Sequence, residues 1–126
     1  MQFVVNRSPL RGEVRIPGSK SHTIRAVAVA ALADGESVIG RPLVSADALA
    51  ARDAYRLLGA EITDEGGRWR VRGLGGRPRV PENVIDVRNS GTTMRLALGT
   101  AALLDGPGAV VLTGDAQVRR RPCGPL

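Results

Sequence analysis

The sequence predicts an alternating α/β fold, and three observations carry that prediction. Segments with period-2 apolar alternation take turns with segments whose apolar residues recur every three or four positions. Gly, Pro and Asp punctuate nearly every junction. A weak internal repeat at an offset of 70 residues sets Ser19-Lys20-Ser21-His22-Thr23-Ile24-Arg25 over Asn89-Ser90-Gly91-Thr92-Thr93-Met94-Arg95. Thr23 then pairs with Thr93, Ile24 with Met94 and Arg25 with Arg95. Each copy reads as strand, polar turn, helix N-terminus and an arginine one turn in, which suggests a repeated supersecondary unit.

Taken in order, Val14 and Ile16 alternate with polar neighbours and read as a strand that Pro17-Gly18 breaks. Ser19-Lys20-Ser21 offers N-cap residues to a helix bearing Ile24, Val27, Ala28, Ala31 and Leu32, which Asp34-Gly35 stops. Ala28-Val29-Ala30 makes that helix apolar nearly all round, which predicts burial on every side. Ser37-Val38-Ile39 is a short strand. Ser45 or Asp47 caps a second helix with Leu49, Ala50, Ala54, Leu57 and Leu58 on one face, ended by Gly59. Glu61–Asp64 and Arg68–Arg72 form a hairpin around Glu65-Gly66-Gly67. A Gly/Arg/Pro loop from Gly73 to Pro81 leads to a third strand region at Val84–Val87. Asn89–Thr93 opens a helix with Met94, Ala97, Leu98 and Ala101 on one face. After the turn Asp105–Gly108, Ala109–Thr113 reads as a strand, and residues 119–126 carry no helix or strand signal.

Composition narrows the function. Apolar residues make up 43% of the 126 residues and charged residues 24%, as in a soluble globular protein. The net charge of +6 comes from 18 Lys+Arg against 12 Asp+Glu, and Lys20 is the only lysine. The whole excess lies from residue 68 onward, with 10 basic and 4 acidic residues. The single cysteine, Cys123, excludes an internal disulfide framework and a cysteine-based zinc site, and reads as a small apolar residue. No apolar run approaches the ~18 residues needed to span a membrane, and the start lacks a signal-type pattern, so a cytoplasmic protein is expected. Three aromatics, Phe3, Tyr55 and Trp69, are few for base stacking and leave a core of Val, Leu, Ile and Ala.

The residues that could carry chemistry cluster at helix starts. A helix N-terminus presents unpaired N–H groups and the positive end of a dipole to anions. Ser19-Lys20-Ser21 adds an ammonium and two hydroxyls there, and Arg25 follows on the same face. A lysine point charge and an arginine fork together suit a phosphate and a carboxylate. On spacing alone, an ordinary capped helix with solvated charges fits as well. The Walker A pattern is absent. Asn89-Ser90-Gly91-Thr92-Thr93 with Arg95 is a second candidate, in which Gly91 allows close approach to the backbone. Arg119-Arg120-Arg121-Pro122 is a third basic cluster, equally readable as solvated charge. Asp47 is a cap or an electrostatic partner for Lys20. His22, the only histidine, provides little for a metal site or a catalytic triad.

These strings resemble a known family. Pro17-Gly18-Ser19-Lys20-Ser21 with Arg25 and an Ala-rich helix resembles the N-terminal signature of the 5-enolpyruvylshikimate-3-phosphate synthase family. Asn89-Ser90-Gly91-Thr92-Thr93-Met94-Arg95 resembles its second signature. Leu112-Thr113-Gly114-Asp115, then Arg121-Pro122 and Pro125-Leu126, resembles its third. The related UDP-N-acetylglucosamine enolpyruvyl transferases share the fold but have a different lysine motif.

The resemblance implies an inside-out α/β barrel in which each of two domains holds three βαβαββ units. Residues 1–126 would be an incomplete N-terminal part of such a two-domain enzyme. Residues 1–17 would be an edge segment pairing with the missing second domain, 18–83 the first unit and 84–126 the start of the second. The implied reaction moves the enolpyruvyl group of phosphoenolpyruvate to the 5-hydroxyl of shikimate 3-phosphate and releases phosphate, in aromatic amino-acid biosynthesis. No metal or organic cofactor is implied, and no nucleic-acid or membrane partner. The two phosphates and two carboxylates of the substrates bring roughly −5 to −6 of charge, taking each phosphate as about −1.5 to −2, which a closed site must offset.

By resemblance, Lys20 lies between the substrates, Ser21 and Arg25 bind shikimate 3-phosphate, and Gly91 and Arg121 bind phosphoenolpyruvate. Asn89 and Arg95 shape that pocket, and Asp47 gives electrostatic support. Inhibitors that mimic phosphoenolpyruvate, such as glyphosate, would be sensitive to a methyl group added at Gly91. The sequence departs from the pattern at Arg88, usually Gly, and at His22-Thr23-Ile24, Ala46 and Cys123. Later family elements, including a Ser-Ser-Gln loop and acid/base carboxylates, are not in this chain, so residues 1–126 alone are expected to bind weakly and not turn over. Two other readings stand beside this one: part of an enolpyruvyl transferase for a nucleotide sugar, and a basic anion- or nucleic-acid-binding module.

Overall fold

The computed structural model describes residues 1–122 and 124. Cys123 and the Pro125-Leu126 end of the third signature lie outside the described residues.

Helix α1 (Lys20–Leu32) starts at Ser19, whose side chain accepts the His22 N–H. It buries Ile24, Val27, Ala28, Ala30 and Ala31 but leaves Val29 70% exposed, so the all-round burial expected from its composition is not found. Its neighbours cover one side only: α2 (Ala46–Leu57), α3 (Gly91–Ala101) and the first sheet. Its last carbonyls, on Ala31, Leu32 and Ala33, accept the N–H groups of Leu74, Gly76 and Gly75. The segment Leu74–Gly76, distant in sequence, therefore satisfies the helix end.

The first sheet has the order β1-β3-β2, with β1 (Glu36–Gly40), β2 (Glu61–Asp64) and β3 (Arg68–Arg72) all antiparallel. The central strand alternates strictly. Trp69 and Val71 point into the core, while Arg68, Arg70 and Arg72 stand on the outer face. Arg70 pairs there with Glu36 and with Glu65, the latter at 2.8 Å. Those carboxylates hold the Arg70 guanidinium above its ordinary pKa.

Helix α2 is capped by Ser45, whose side chain accepts the Ala48 N–H; Asp47 sits inside the first turn and is not the cap. The second sheet is a short parallel pair, β4 (Ile85–Asp86) and β5 (Leu112–Thr113), with α3 as the crossover that parallel pairing demands. Both strands are shorter than the apolar runs around them. Helix α3 buries Gly91, Thr93, Ala97 and Thr100, whereas Leu98, expected on the inner face, is exposed. A one-turn helix α4 (Ala116–Arg119) follows, capped by Asp115, and the sequence reading has no helix there.

One core cluster joins everything from Ile24 to Val118. Its largest fully buried side chains are Trp69 and Tyr55, so the core is not made of aliphatic residues alone. The Tyr55 hydroxyl lies 3.0 Å from Thr100 Oγ1, and Thr100 donates to the Leu96 carbonyl. This buried chain of hydrogen bonds ties α2 to α3. Burial pushes the Tyr55 phenol above its ordinary pKa.

The strand expected at Val14–Ile16 does not form. Val14 and Ile16 are 83% and 81% exposed, and no strand lies beside them among the described residues. A strand without a partner leaves its ladder unmade, so alternation alone does not produce one.

Candidate active site

The first cluster is built at the start of α1. The Thr23 hydroxyl donates to the Ser19 carbonyl at 2.9 Å and accepts the Leu43 N–H at 3.0 Å. It thereby clamps the loop after β1 onto the helix start. Gly18 makes the approach possible: a Cβ there would lie 2.8 Å from the Arg41 carbonyl and 3.0 Å from the Leu43 nitrogen. Arg41 turns the chain with φ +47°, and the loop then runs into the Ser45 cap of α2. This path brings Asp47 beside the lysine, with Lys20 Nζ 2.8 Å from Asp47 Oδ2. The lysine side chain is 53% exposed and the aspartate 22%. Ser21 is exposed one residue further along. Arg25 folds back so that its guanidinium donates to the Ser21 carbonyl at 3.1 Å.

The second cluster is built at the start of α3. Arg88 occupies the left-handed region with φ +54°, the conformation that glycine adopts most cheaply. Three contacts hold it. Its N–H donates to Asp86 Oδ1 at 2.8 Å, its carbonyl accepts the Asp115 N–H at 2.8 Å, and its guanidinium lies 3.1 Å from Asp53 Oδ2 on α2. The turn that Arg88 makes delivers Asn89, whose amide donates to Asp115 Oδ2 at 2.6 Å and to Gln117 Oε1 at 3.2 Å. Ser90 then caps α3 by accepting the Thr93 N–H, and its hydroxyl meets Thr93 Oγ1 at 2.6 Å.

The cap shows how far the internal repeat extends. Ser19 and Ser90 hold the same position in their helices, so the helix starts match at an offset of 71, one residue off the offset of 70 that aligns the sequence strings. Thr23 and Thr93 consequently have different roles. One clamps a loop, and the other bonds its own cap.

Arg121 reaches the start of α3 from beyond α4. A Cβ built on Gly91 would collide with Arg121 Nη1 and lie 3.1 Å from its Cζ. Asp115 is the organiser here. Its Oδ1 accepts the N–H groups of Val118 and Gln117, each at 2.9 Å, while Oδ2 accepts Asn89. The Val118 bond, opposed by partial burial and aided by Asn89, Gln117 and the Arg121 charge, holds its carboxyl below the ordinary range. Sequence reasoning gives Asp115 no role of its own. Its signal was an acidic residue three before Val118 at the end of a strand, the mark of an N-cap. The Arg88–Asp53 pair, 35 residues apart in sequence, left no signal.

The structure thus gathers the candidates into two groups. Lys20, Ser21, Arg25 and Asp47 surround the start of α1, and Asn89, Gly91 and Arg121 surround the start of α3. Arg95 is exposed one turn into α3. The two helices pack against each other and against α2. Among the described residues, no group of three or more His, Cys, Asp or Glu side chains could hold a metal ion. Each group presents N–H donors and a cation at a helix start, an arrangement for holding oxyanions.

An α/β frame with two cationic helix starts defines a mixed α/β domain suited to holding oxyanions. The family described as EPSP synthase (3-phosphoshikimate 1-carboxyvinyltransferase) matches residues 4–126. A 3-phosphoshikimate 1-carboxyvinyltransferase of Acetivibrio thermocellus is 56% identical over 126 residues, all of this chain and 29% of that protein. One of Halobacterium salinarum is 52% identical over the same 126 residues, again 29% of its length. The solved EPSP synthase from Acinetobacter baumannii superposes with a TM-score of 0.76 at 32% identity, covering 88% of this chain and 25% of that one. The chain belongs to the EPSP synthase family, and it spans 29% of the length of the two relatives named.

Proposed function

We propose that the chain forms part of an enzyme that transfers the enolpyruvyl group from phosphoenolpyruvate to the 5-hydroxyl of shikimate 3-phosphate. In that reaction the 5-oxygen bonds to C2 of phosphoenolpyruvate, the hydroxyl proton is released and C3 gains a proton. The tetrahedral intermediate then loses a proton from C3 as its C2–O bond to phosphate breaks. The products are the enol ether and inorganic phosphate. The observation that carries this reading is the placement of Arg121 against the bare Cα of Gly91 at the start of α3. A guanidinium and helix N–H groups there suit the anionic end of phosphoenolpyruvate.

Lys20 is the residue we assign between the two substrates, where its ammonium offsets charge on both. Asp47 fixes its position. Ser21 and Arg25 take shikimate 3-phosphate; Arg25 must first release the Ser21 carbonyl. Asn89 and Arg95 shape the phosphoenolpyruvate side. Residues 18–83 act as one unit and 84–126 as the beginning of another. Residues 1–17 are the edge for a second domain, a role supported by the exposure of Phe3, Val4, Val5, Leu10, Val14 and Ile16. We place the enzyme in the cytoplasm. Among the described residues, no helix is long and apolar enough to cross a membrane.

The test titrates phosphoenolpyruvate and shikimate 3-phosphate into residues 1–126 by NMR, with a UDP-sugar and a DNA oligonucleotide as controls. Weak, saturable shifts at Lys20 and Gly91, lost in Lys20→Met and Arg121→Ala, are expected for the two substrates only. No turnover is expected. Measurable enolpyruvyl transfer by this chain alone would refute the view that the site is incomplete, and preference for the UDP-sugar would move the chain to the sister activity.

A further inference from the structure

The end of β3 and the loop that follows it carry a third group of cations. Arg72, Arg77 and Arg79 line a cavity of about 180 Å³ together with Gly59, Glu61 and Leu74. None of its lining residues belongs to the two clusters at the starts of α1 and α3.

The loop is held in place by its backbone. Gly73, Leu74, Gly75 and Gly76 donate to carbonyls at and beyond the end of α1, and the Arg79 N–H donates to the Leu58 carbonyl at 2.8 Å. Gly75 and Gly76 make this path with φ +58° and +74°. The Arg79 stem packs over Gly59, where a Cβ would lie 3.1 Å from its Cδ. The arginines therefore sit on a fixed frame.

Their charge is not balanced. Among the described residues, none of the three guanidinium groups has a hydrogen bond or an ion pair, whereas Arg70 on the same strand is held by Glu36 and Glu65. In register, Arg72 stands between Glu36 and Glu61. Glu36 is engaged by Arg70, which leaves Glu61 as the cavity's one carboxylate. Three cations against one carboxylate match the charge of a phosphate, about −1.5 to −2. Guanidinium forks also match its oxygens. The volume is below the roughly 300 Å³ at which drug-sized ligand sites begin.

We infer that Arg72, Arg77 and Arg79 form a binding site for a phosphate or diphosphate group, separate from the proposed active site. The group comes either from free anion or from the terminal phosphates of a larger molecule projecting out of the cavity.

The experiment modifies arginines of the 126-residue chain with phenylglyoxal, with and without pyrophosphate, and maps the products by mass spectrometry. Pyrophosphate is expected to protect Arg72, Arg77 and Arg79, in the Lys20→Met chain as in the unaltered one. Arg77→Ala/Arg79→Ala is expected to weaken pyrophosphate binding by about tenfold or more. Equal protection by ATP assigns the group to a larger carrier; protection by pyrophosphate alone assigns it to the free anion. Protection confined to Arg25, Arg95 and Arg121, or unchanged affinity in the double variant, overturns the site. If the variant misfolds, the protection pattern of the unaltered chain decides. Loss of phosphoenolpyruvate binding would count against the proposed function without touching this result.

Discussion

Lys20 Nζ and Asp47 Oδ2 lie 2.8 Å apart, joining the first turns of α1 and α2. The lysine is half-exposed, so the pair contributes about 0–1 kcal/mol to stability. Its effect is on the field at the helix start. Asp47→Asn is expected to leave the urea midpoint nearly unchanged and to steepen the salt dependence of anion binding, because Lys20 is then uncompensated. Lys20→Met flattens that dependence. Titrations at several salt concentrations read both slopes, and equal slopes in the two variants would remove Asp47 from the site.

Gly18 and the Arg41–Leu43 backbone touch where a side chain has no room. Gly18→Ala puts a methyl 2.8 Å from a carbonyl oxygen that cannot rotate away. Overpacking of this kind costs about 1–3 kcal/mol. The variant should lower stability by that amount in urea and shift the Leu43 and Asp47 amide resonances. Gly91→Ala differs, because the obstacle is the end of the Arg121 side chain. Stability should hold within about 1 kcal/mol, while phosphoenolpyruvate affinity falls as Arg121 is pushed aside.

Arg88 makes the left-handed turn before Asn89 without being glycine. An ordinary residue there costs about 1–2 kcal/mol, and the surface pair with Asp53 returns up to about 1 kcal/mol. Arg88→Gly should therefore leave stability within about 1 kcal/mol of the parent. Arg88→Val, with a branched Cβ, should cost more, about 1–3 kcal/mol. Urea unfolding of the two variants gives the order, and a more stable valine variant would contradict the turn.

Asp115 is held below its ordinary pKa by the N–H of Val118, with Asn89, Gln117 and Arg121 assisting. A depressed carboxyl contributes stability that is complete above the unfolded value, about pH 4. That stability is lost as pH falls through the lower folded value. The Gln117 and Val118 amides should thus keep their folded positions down to about pH 4 and move together below it. Asp115→Asn keeps a good cap and should abolish that movement.

Thr100 gives the buried Tyr55 hydroxyl its partner across α2 and α3. Thr100→Val strands that hydroxyl, at a cost of about 1–3 kcal/mol. Adding Tyr55→Phe should recover part of the loss, and a double-mutant cycle measures the coupling.

The sequence by itself determined the alternating α/β class, α1 with a cap within Ser19-Lys20-Ser21, the hairpin around Glu65-Gly66-Gly67 and a helix opening within Asn89–Thr93. Each rests on local chemistry: a hydroxyl three residues from the N–H it accepts, an alternating strand, a glycine turn. The three ordered signatures were also legible, because motifs lie in contiguous strings. Only the tertiary structure decided the rest. Val14–Ile16 alternates like a strand but, among the described residues, has none beside it to complete a ladder. Val29 is as apolar as its neighbours yet faces out, because α2, α3 and the sheet cover one side of α1. Asp47 reaches Lys20 because Gly18 and Thr23 dock the intervening loop, and Arg88 reaches Asp53 across 35 residues. Those relationships depend on which surfaces meet when the chain closes, and periodicity along the chain carries no record of that.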